Sequence, residues 1–249
     1  MAREARRLSK TGIYHVIFRG VNRYDIFEEE KDYEKILDVI SDLKKSMEFE
    51  IYAFCLMSNH VHIIIKEANM GDISLIMLRM LTRYAGWYNR KYERSGILIS
   101  NRFKSEPVET DEYLLTLARY IHQNPVKAGI STGVDKYKWS SFKEYLGRGE
   151  LTDTYFLLLL VDRECFIKFN YEVENMEFEV SYKSDKKDDA YIRNRIKEIL
   201  NGDDSFKLGQ FPKEERNRII SYLKNKEKFS IRKIERATGI SRGVISRCK

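Results

Sequence analysis

Apolar positions along this chain recur at two different spacings, and the switches between them mark out its elements. Ile13 to Phe18 is a β-branched and aromatic run that reads as a first strand. Over residues 31–47, Tyr33, Ile36, Leu37, Ile40, Leu43 and Met47 recur at steps that line one face of a helix. Ile51 to Leu56 is a second strand, and the short Met57-Ser58-Asn59 turn leads into a third over residues 60–65. Such close succession predicts an antiparallel hairpin. Ile73 to Tyr92 repeats the helical spacing through Ile76, Met80, Leu81, Tyr84 and Trp87, and Ser100 to Val108 alternates as a fourth strand. A further helix starts at the cap-like Thr110-Asp111-Glu112. It is expected to stop at Asn124, because Pro125 lacks an N–H and disfavours helical geometry in the residue before it. The order β-α-β-β-α-β and then α predicts an α+β fold, a ferredoxin-like antiparallel sheet with helices on one face.

The second half reads as helical. Tyr155 to Leu160 and Phe166 suit one or two helices packing against something, and Lys183 to Asp189 is a charge-rich linker. Tyr191 to Leu200 and Glu214 to Lys224 follow as helices. Residues 231–247 then read as helix, glycine turn and second helix, an all-α helix-turn-helix in which Ser241 caps the second helix. Arg242, Ser246 and Arg247 would meet DNA, although Glu235 stands where such motifs often carry a small residue. A plain helical hairpin fits the same pattern. The expected division is residues 1–147, a helical connection with the charged linker over 148–189, and a helical DNA-binding domain over 190–249.

Composition narrows the partners. Among 249 residues, 45 Lys and Arg outnumber 38 Asp and Glu, a net charge of +7 that favours a polyanion such as nucleic acid. The scattered Cys55, Cys165 and Cys248 lack disulfide or metal spacing and point to a reducing compartment. The longest apolar run, Tyr155 to Val161, is too short to span a bilayer, and a cytoplasmic protein is expected.

Candidate chemistry gathers at residues 57–65. On a strand, His60 and His62 share one face while Val61 packs into the opposite layer, so two imidazoles stand side by side. A half-buried strand with two surface histidines reads alike until a third ligand and a reacting group are found. The helix from Asp111 supplies both. At about 100° per residue, Leu114, Leu117, Ala118 and Ile121 form its apolar stripe. Tyr120 and Asn124, four apart, are neighbours along one edge of that stripe, and His122 points away from them. Two imidazoles and an amide oxygen can hold a divalent ion, and the tyrosine can supply a nucleophile. His15, inside the first strand, reads as structural. Arg19, Arg23, Arg83, Arg102 and Lys104 are candidate DNA contacts, and Arg3, Arg6, Arg7 and Lys10 make a short basic amino-terminal arm that also reads as a solvated tail.

Residues 13–16 (Ile-Tyr-His-Val), 57–62 (Met-Ser-Asn-His-Val-His), 119–129 and 139–142 (Trp-Ser-Ser-Phe) together resemble the single-tyrosine HUH transposases, in particular the REP-associated tyrosine transposase branch. The resemblance spans residues 10–147. It implies that Tyr120 is the nucleophile, that His60, His62 and Asn124 hold Mg²⁺ or Mn²⁺, and that the substrate is single-stranded or hairpin DNA. Cleavage and rejoining would pass through a 5′-phosphotyrosine. It also implies a possible homodimer, with a monomer equally open. Two other readings stand beside it: a non-catalytic DNA-binding regulator that keeps the fold, and a phosphodiesterase using metal-activated water, which would leave Tyr120 without a task.

Overall fold

The structure is a computed structural model that describes residues 6–100, 102–147, 150–172, 195–200, 208–209, 211–227, 229 and 231–248. The chain divides into two compact units, residues 1–180 and 181–249. The expected linker over Lys183 to Asp189 lies outside the described residues, as does the start of the helix expected from Tyr191.

The first unit is built on four strands, β1 (Ile13–Arg19), β2 (Glu50–Met57), β3 (His60–Lys66) and β4 (Lys104–Pro107), ordered β2-β3-β1-β4 with every neighbour antiparallel. Helices α1 (Glu30–Met47) and α2 (Asp72–Lys91) connect them, and α3 (Asp111–Lys127) follows β4. Tyr14, Val16 and Phe18 of β1, with Val61, Ile63 and Ile65 of β3, join Ile36, Ile40, Leu43, Ile76, Met80 and Tyr84 of α1 and α2 in one core. The other face of the same strands, including Ile13, Cys55 and Ile64, packs on Leu114, Leu117, Ala118 and Ile121 of α3. Helices therefore cover both faces, not the single face expected. The cause lies in the strands: every residue of β1 from Ile13 to Phe18 is buried, so both sides of the pleat exclude water.

Helices α4 (Phe142–Leu146), α5 (Thr154–Leu160) and α6 (Arg163–Tyr171) extend that second core through Tyr145, Leu157 and Phe166. They belong to the first unit's packing. At the outer edge of β2, Leu56 N–H donates to the Trp139 carbonyl and Ser141 N–H to the Phe54 carbonyl, which covers the strand edge. The β2–β3 register slips between Ile51 and Ala53, and Tyr52 and Ala53 both enter the second core.

Two boundaries differ from the sequence expectation. Strand β4 is four residues long, shorter than the expected run over 100–108. Helix α3 does not stop at Asn124; it continues through Pro125 to Lys127. Proline removes one N–H only, and the helix ends two residues later, so little of the ladder is lost. The Asn124 side chain donates from Nδ2 to the Tyr120 carbonyl at 3.0 Å, adding a bond to that turn.

In the second unit, α7 (Lys213–Asn225), α8 (Ile231–Thr238) and α9 (Arg242–Arg247) share a core of Ile220, Leu223, Ile234, Ala237, Ile240 and Ile245. Ser241 does occupy the N-cap position of α9, but its side chain makes no capping hydrogen bond, contrary to expectation. No helix among the described residues is long and apolar enough to cross a membrane.

Asp32 joins α1 to α2. Its buried carboxylate accepts from the Glu28 and Glu29 backbone N–H groups and from Tyr92 Oη, and pairs with Lys91. These partners hold its pKa below the usual range against the opposing effect of burial. Asp32→Ala leaves those donors unpaired and is expected to cost about 3 kcal/mol. Urea unfolding of the variant against the parent measures it.

Candidate active site

The face of the sheet that meets α3 carries an unusual polar group. Residues paired across antiparallel strands point to the same side. Arg19 of β1 pairs with His60, and Ile17 pairs both with His62 and with Lys104 of β4. Pairing of His15 with Glu106 completes this face. Three histidines and two cations thus stand on one side of the sheet, while Val61 and Ile63 fill the core on the other.

The histidines touch one another. His15 Nε2 and His62 Nδ1 are 3.0 Å apart and hydrogen-bonded, with their rings stacked at 5.3 Å. His60 meets His62 edge-on at 5.2 Å. His15 is fully buried, and its Nδ1 has no hydrogen-bond partner among the described residues. Burial lowers its pKa to about 3. Burial first, then the neighbouring His60 and His15, also holds His62 well below the ordinary histidine range. His15 and His62 are therefore neutral at physiological pH and keep nitrogen lone pairs, as ligation requires.

The tautomer of His60 follows from its neighbour. Asn59 spends Nδ2 as donor to the Arg23 carbonyl at 3.3 Å, so its Oδ1 must be the acceptor at 2.7 Å from His60 Nδ1. His60 then donates from Nδ1, which in its neutral form puts the lone pair on Nε2.

Tyr120 approaches from α3. Its ring meets that of His62 edge-on at 5.7 Å and that of His15 at 6.5 Å. Asn124, one turn on, donates through Nδ2 to the Tyr120 carbonyl, which leaves the amide oxygen for another partner. Extension of α3 past Pro125 adds a residue that the sequence reading did not pick out: Lys127 Nζ sits 5.2 Å from the centre of the Tyr120 ring. Only a helix carried through the proline brings residue 127 to that side, seven positions from the tyrosine.

The opposite side of α3 is pinned by polar contacts. His122 donates from Nδ1 to Asn170 Oδ1 at 2.7 Å and accepts at Nε2 from Ser141 Oγ at 2.9 Å, since the Asn170 amide nitrogen is spent on the Phe166 carbonyl. Gln123 Nε2 donates to the Asn170 carbonyl at 2.9 Å. His122 does point away from Tyr120, as the helical spacing predicts, and its bonds set the rotation of α3 about its axis.

The DNA-contact candidates separate. Arg19 and Lys104 lie on the histidine face, and Arg23 lies in the loop after β1, one hydrogen bond from Asn59. Arg83 is exposed on α2, which covers the other face of the sheet. Arg102 is exposed near Arg6, whose guanidinium stacks on Phe103 at 3.6 Å. In the second unit, Arg242 pairs with Glu235 at 2.5 Å, and Ser246 and Arg247 are exposed while bonding back to the Gly243 carbonyl.

Residues 9–124 match the family described as IS200-like transposases. A Haemophilus influenzae protein named as a REP-associated tyrosine transposase is 24% identical, the match covering 57% of this chain and 86% of that one. The solved structure of a REP-associated tyrosine transposase bound to a REP hairpin has the same fold, with a TM-score of 0.55 and 19% identity over 72% of this chain and 96% of that one. A Deinococcus radiodurans structure named as a transposase covers 49% of this chain at a TM-score of 0.35 and 16% identity.

Burial lowers the His122 pKa to about 4, against a smaller upward effect of Asn170. The unfolded chain takes up this proton near pH 6.5, so the stability involved is complete above that pH and is lost as pH falls toward 4. His122 is expected to account for up to about 3 kcal/mol of acid destabilisation. Urea unfolding at pH 7 and pH 4.5 should show a smaller decline for His122→Gln than for the parent.

Proposed function

We propose that this protein is a transposase that cleaves and rejoins single-stranded DNA by the single-tyrosine HUH mechanism, on a ferredoxin-like domain. The observation that carries this reading is the meeting of Tyr120 with His62 at 5.7 Å, on a sheet face where His60 stands beside them and Asn124 follows one helical turn on. The donor set fits a divalent cation. His60 Nε2 bears a lone pair, His62 is held neutral, and the Asn124 amide has already spent its nitrogen as donor. His60, His62 and Asn124 would hold Mg²⁺ or Mn²⁺, which when bound supplies Lewis-acid stabilisation of charge on the scissile phosphate. Imidazole nitrogens favour Mn²⁺ in affinity, whereas Mg²⁺ prefers oxygen.

The chain's own residues do the rest. Tyr120 Oη attacks phosphorus and gives up its proton to water, the bond from phosphorus to the 3′ oxygen breaks, and the leaving oxygen takes a proton from water, so that a 5′-phosphotyrosine and a free 3′-OH remain. The ester energy stays in the new bond, so a 3′-OH can reverse the step. A free phenol has a pKa near 10, and Lys127 is the cation that stands beside the Tyr120 ring. Arg19 and Lys104, on the same face, suit the phosphates flanking the scissile one. For His62 to ligate through Nε2, its Nδ1–H must donate to His15 Nε2, so His15 acts as a positioning residue. In the second unit, α8 and α9 with the Gly239-Ile240-Ser241 turn suit a helix-turn-helix that presents Ser246 and Arg247 to duplex DNA.

The full chain, mixed with labelled hairpin DNA bearing single-stranded extensions and Mn²⁺, should give an adduct that survives denaturant. Tyr120→Phe should abolish it, as should a chelator. Cleavage that persists in Tyr120→Phe without an adduct would overturn the mechanism in favour of activated water. An intact protein that binds the hairpins but never cleaves them would leave the regulator reading.

His15→Leu is expected to weaken Mn²⁺ binding about 10- to 100-fold while leaving hairpin affinity in chelator unchanged. Electron paramagnetic resonance titration of unbound Mn²⁺ reads the first quantity directly.

A further inference from the structure

The loop after β1 spends free energy on its shape. Asn22 and Arg23 are consecutive non-glycine residues in the left-handed region, at φ 53° and 63°. Gly20 admits no side chain, because a Cβ there would stand 2.0 Å from the Tyr24 carbonyl oxygen. Two adjacent strained residues persist only where surrounding contacts over-determine them, and such strain gathers at functional sites.

Those contacts are present. Gly20 N–H donates to the Asn59 carbonyl and Val21 N–H to the Leu98 carbonyl, both at 2.9 Å. Arg23 and Tyr24 N–H groups close the turn onto the Gly20 and Val21 carbonyls. Beyond it, Ile26 and Phe27 are buried, and their N–H groups both donate to the Ser58 carbonyl. The loop is thus clamped at either end to the turn that begins the histidine strand. The same Asn59 amide that takes the Arg23 carbonyl sets the His60 tautomer.

What this clamped loop holds out is Tyr24. Its side chain is 61% exposed although its neighbours two and three positions on are buried. Among the described residues no ring stacks on it and no cation covers it. The packing of the fold makes no use of this phenol, and its backbone cannot move far. Arg19, paired with His60 at the end of β1, and Arg23, the residue before Tyr24, bring two guanidinium side chains to the two ends of the same turn.

We propose that Tyr24 is a stacking platform for one unpaired nucleobase of the DNA strand, next to the phosphate held at His60 and His62. A rigid aromatic beside basic side chains is the chemistry by which proteins hold single strands, and stacking tolerates any base because each has a π-face. The inference rests on the proposed single-strand reaction and adds a contact that selects an unstacked, extruded nucleotide at the reacting phosphate.

The test uses the full chain in chelator, so that nothing is cut. Hairpins carry 2-aminopurine at successive single-stranded positions, and its fluorescence reports stacking. Wild type should quench one position adjoining the cleavage point, and Tyr24→Phe should do the same with affinity within about twofold. Tyr24→Ala should lose that quenching and bind about tenfold more weakly or worse. Tyr24→Leu, apolar but unable to stack a π-face, should resemble the alanine variant. Thermal melting of each variant checks that the exposed site tolerates substitution. Unchanged quenching and affinity in Tyr24→Ala would overturn the proposal, as would full retention by Tyr24→Leu. The Mn²⁺-dependent adduct keeps the two readings apart. An adduct formed by wild type, with Tyr24→Ala indistinguishable in binding, removes the stacking platform alone. Tyr24-dependent quenching without any adduct removes the tyrosine chemistry and leaves the platform in place.

Discussion

The structure depends on a two-residue alternation that cannot slip. Strands β1 and β3 are buried on both faces, so displacing their register by one residue would drive His60 and His62 into the core of Val16, Phe18 and Ile40. It would also turn Val61 and Ile63 toward Tyr120. Unpaired imidazoles in that core would cost far more than the sheet recovers. The same apolar face that stabilises the fold therefore aims the histidines, and His15, two positions off the direct partner of His62 across the ladder, inherits its hydrogen bond from this register.

Helix α3 is the other half of the site, held from two sides. Its apolar stripe packs on the sheet, while His122 and Gln123 tie its outer side to Ser141 and Asn170. Ser141 Oγ itself accepts from the Phe54 N–H of β2, so rotation of α3 is referred back to the sheet that carries the histidines. Short polar bonds suit this purpose better than apolar contact, because they fail with small rotations whereas packed methyl groups tolerate them. Passage of the helix through Pro125 places Lys127 over the tyrosine ring.

These constraints join at the amide of Asn59. It reads the carbonyl of a strained loop on one side and fixes the proton of His60 on the other. The loop that carries Tyr24 and the strand that carries the histidines are then neighbours in one hydrogen-bonded chain.

Much of this was legible along the chain. Period-two alternation placed His60 and His62 on one strand face, and helical spacing put Tyr120 and Asn124 together with His122 turned away, since those relations depend only on the local twist of the backbone. The order of elements likewise followed from hydrophobic spacing. Four things did not. That helices cover both faces depends on which distant residues bury each side of the sheet. Persistence of α3 beyond Pro125 depends on a tertiary setting that outweighs a local propensity of the residue before proline. The pairing of His15 with His62, and the exposure of Tyr24 on a loop whose ends are clamped, arise from strands and turns far apart in the chain. Sequence by itself determined which side chains share an element's face; only the tertiary structure decided which faces meet, because contact between remote segments is set by packing and register that no local spacing encodes.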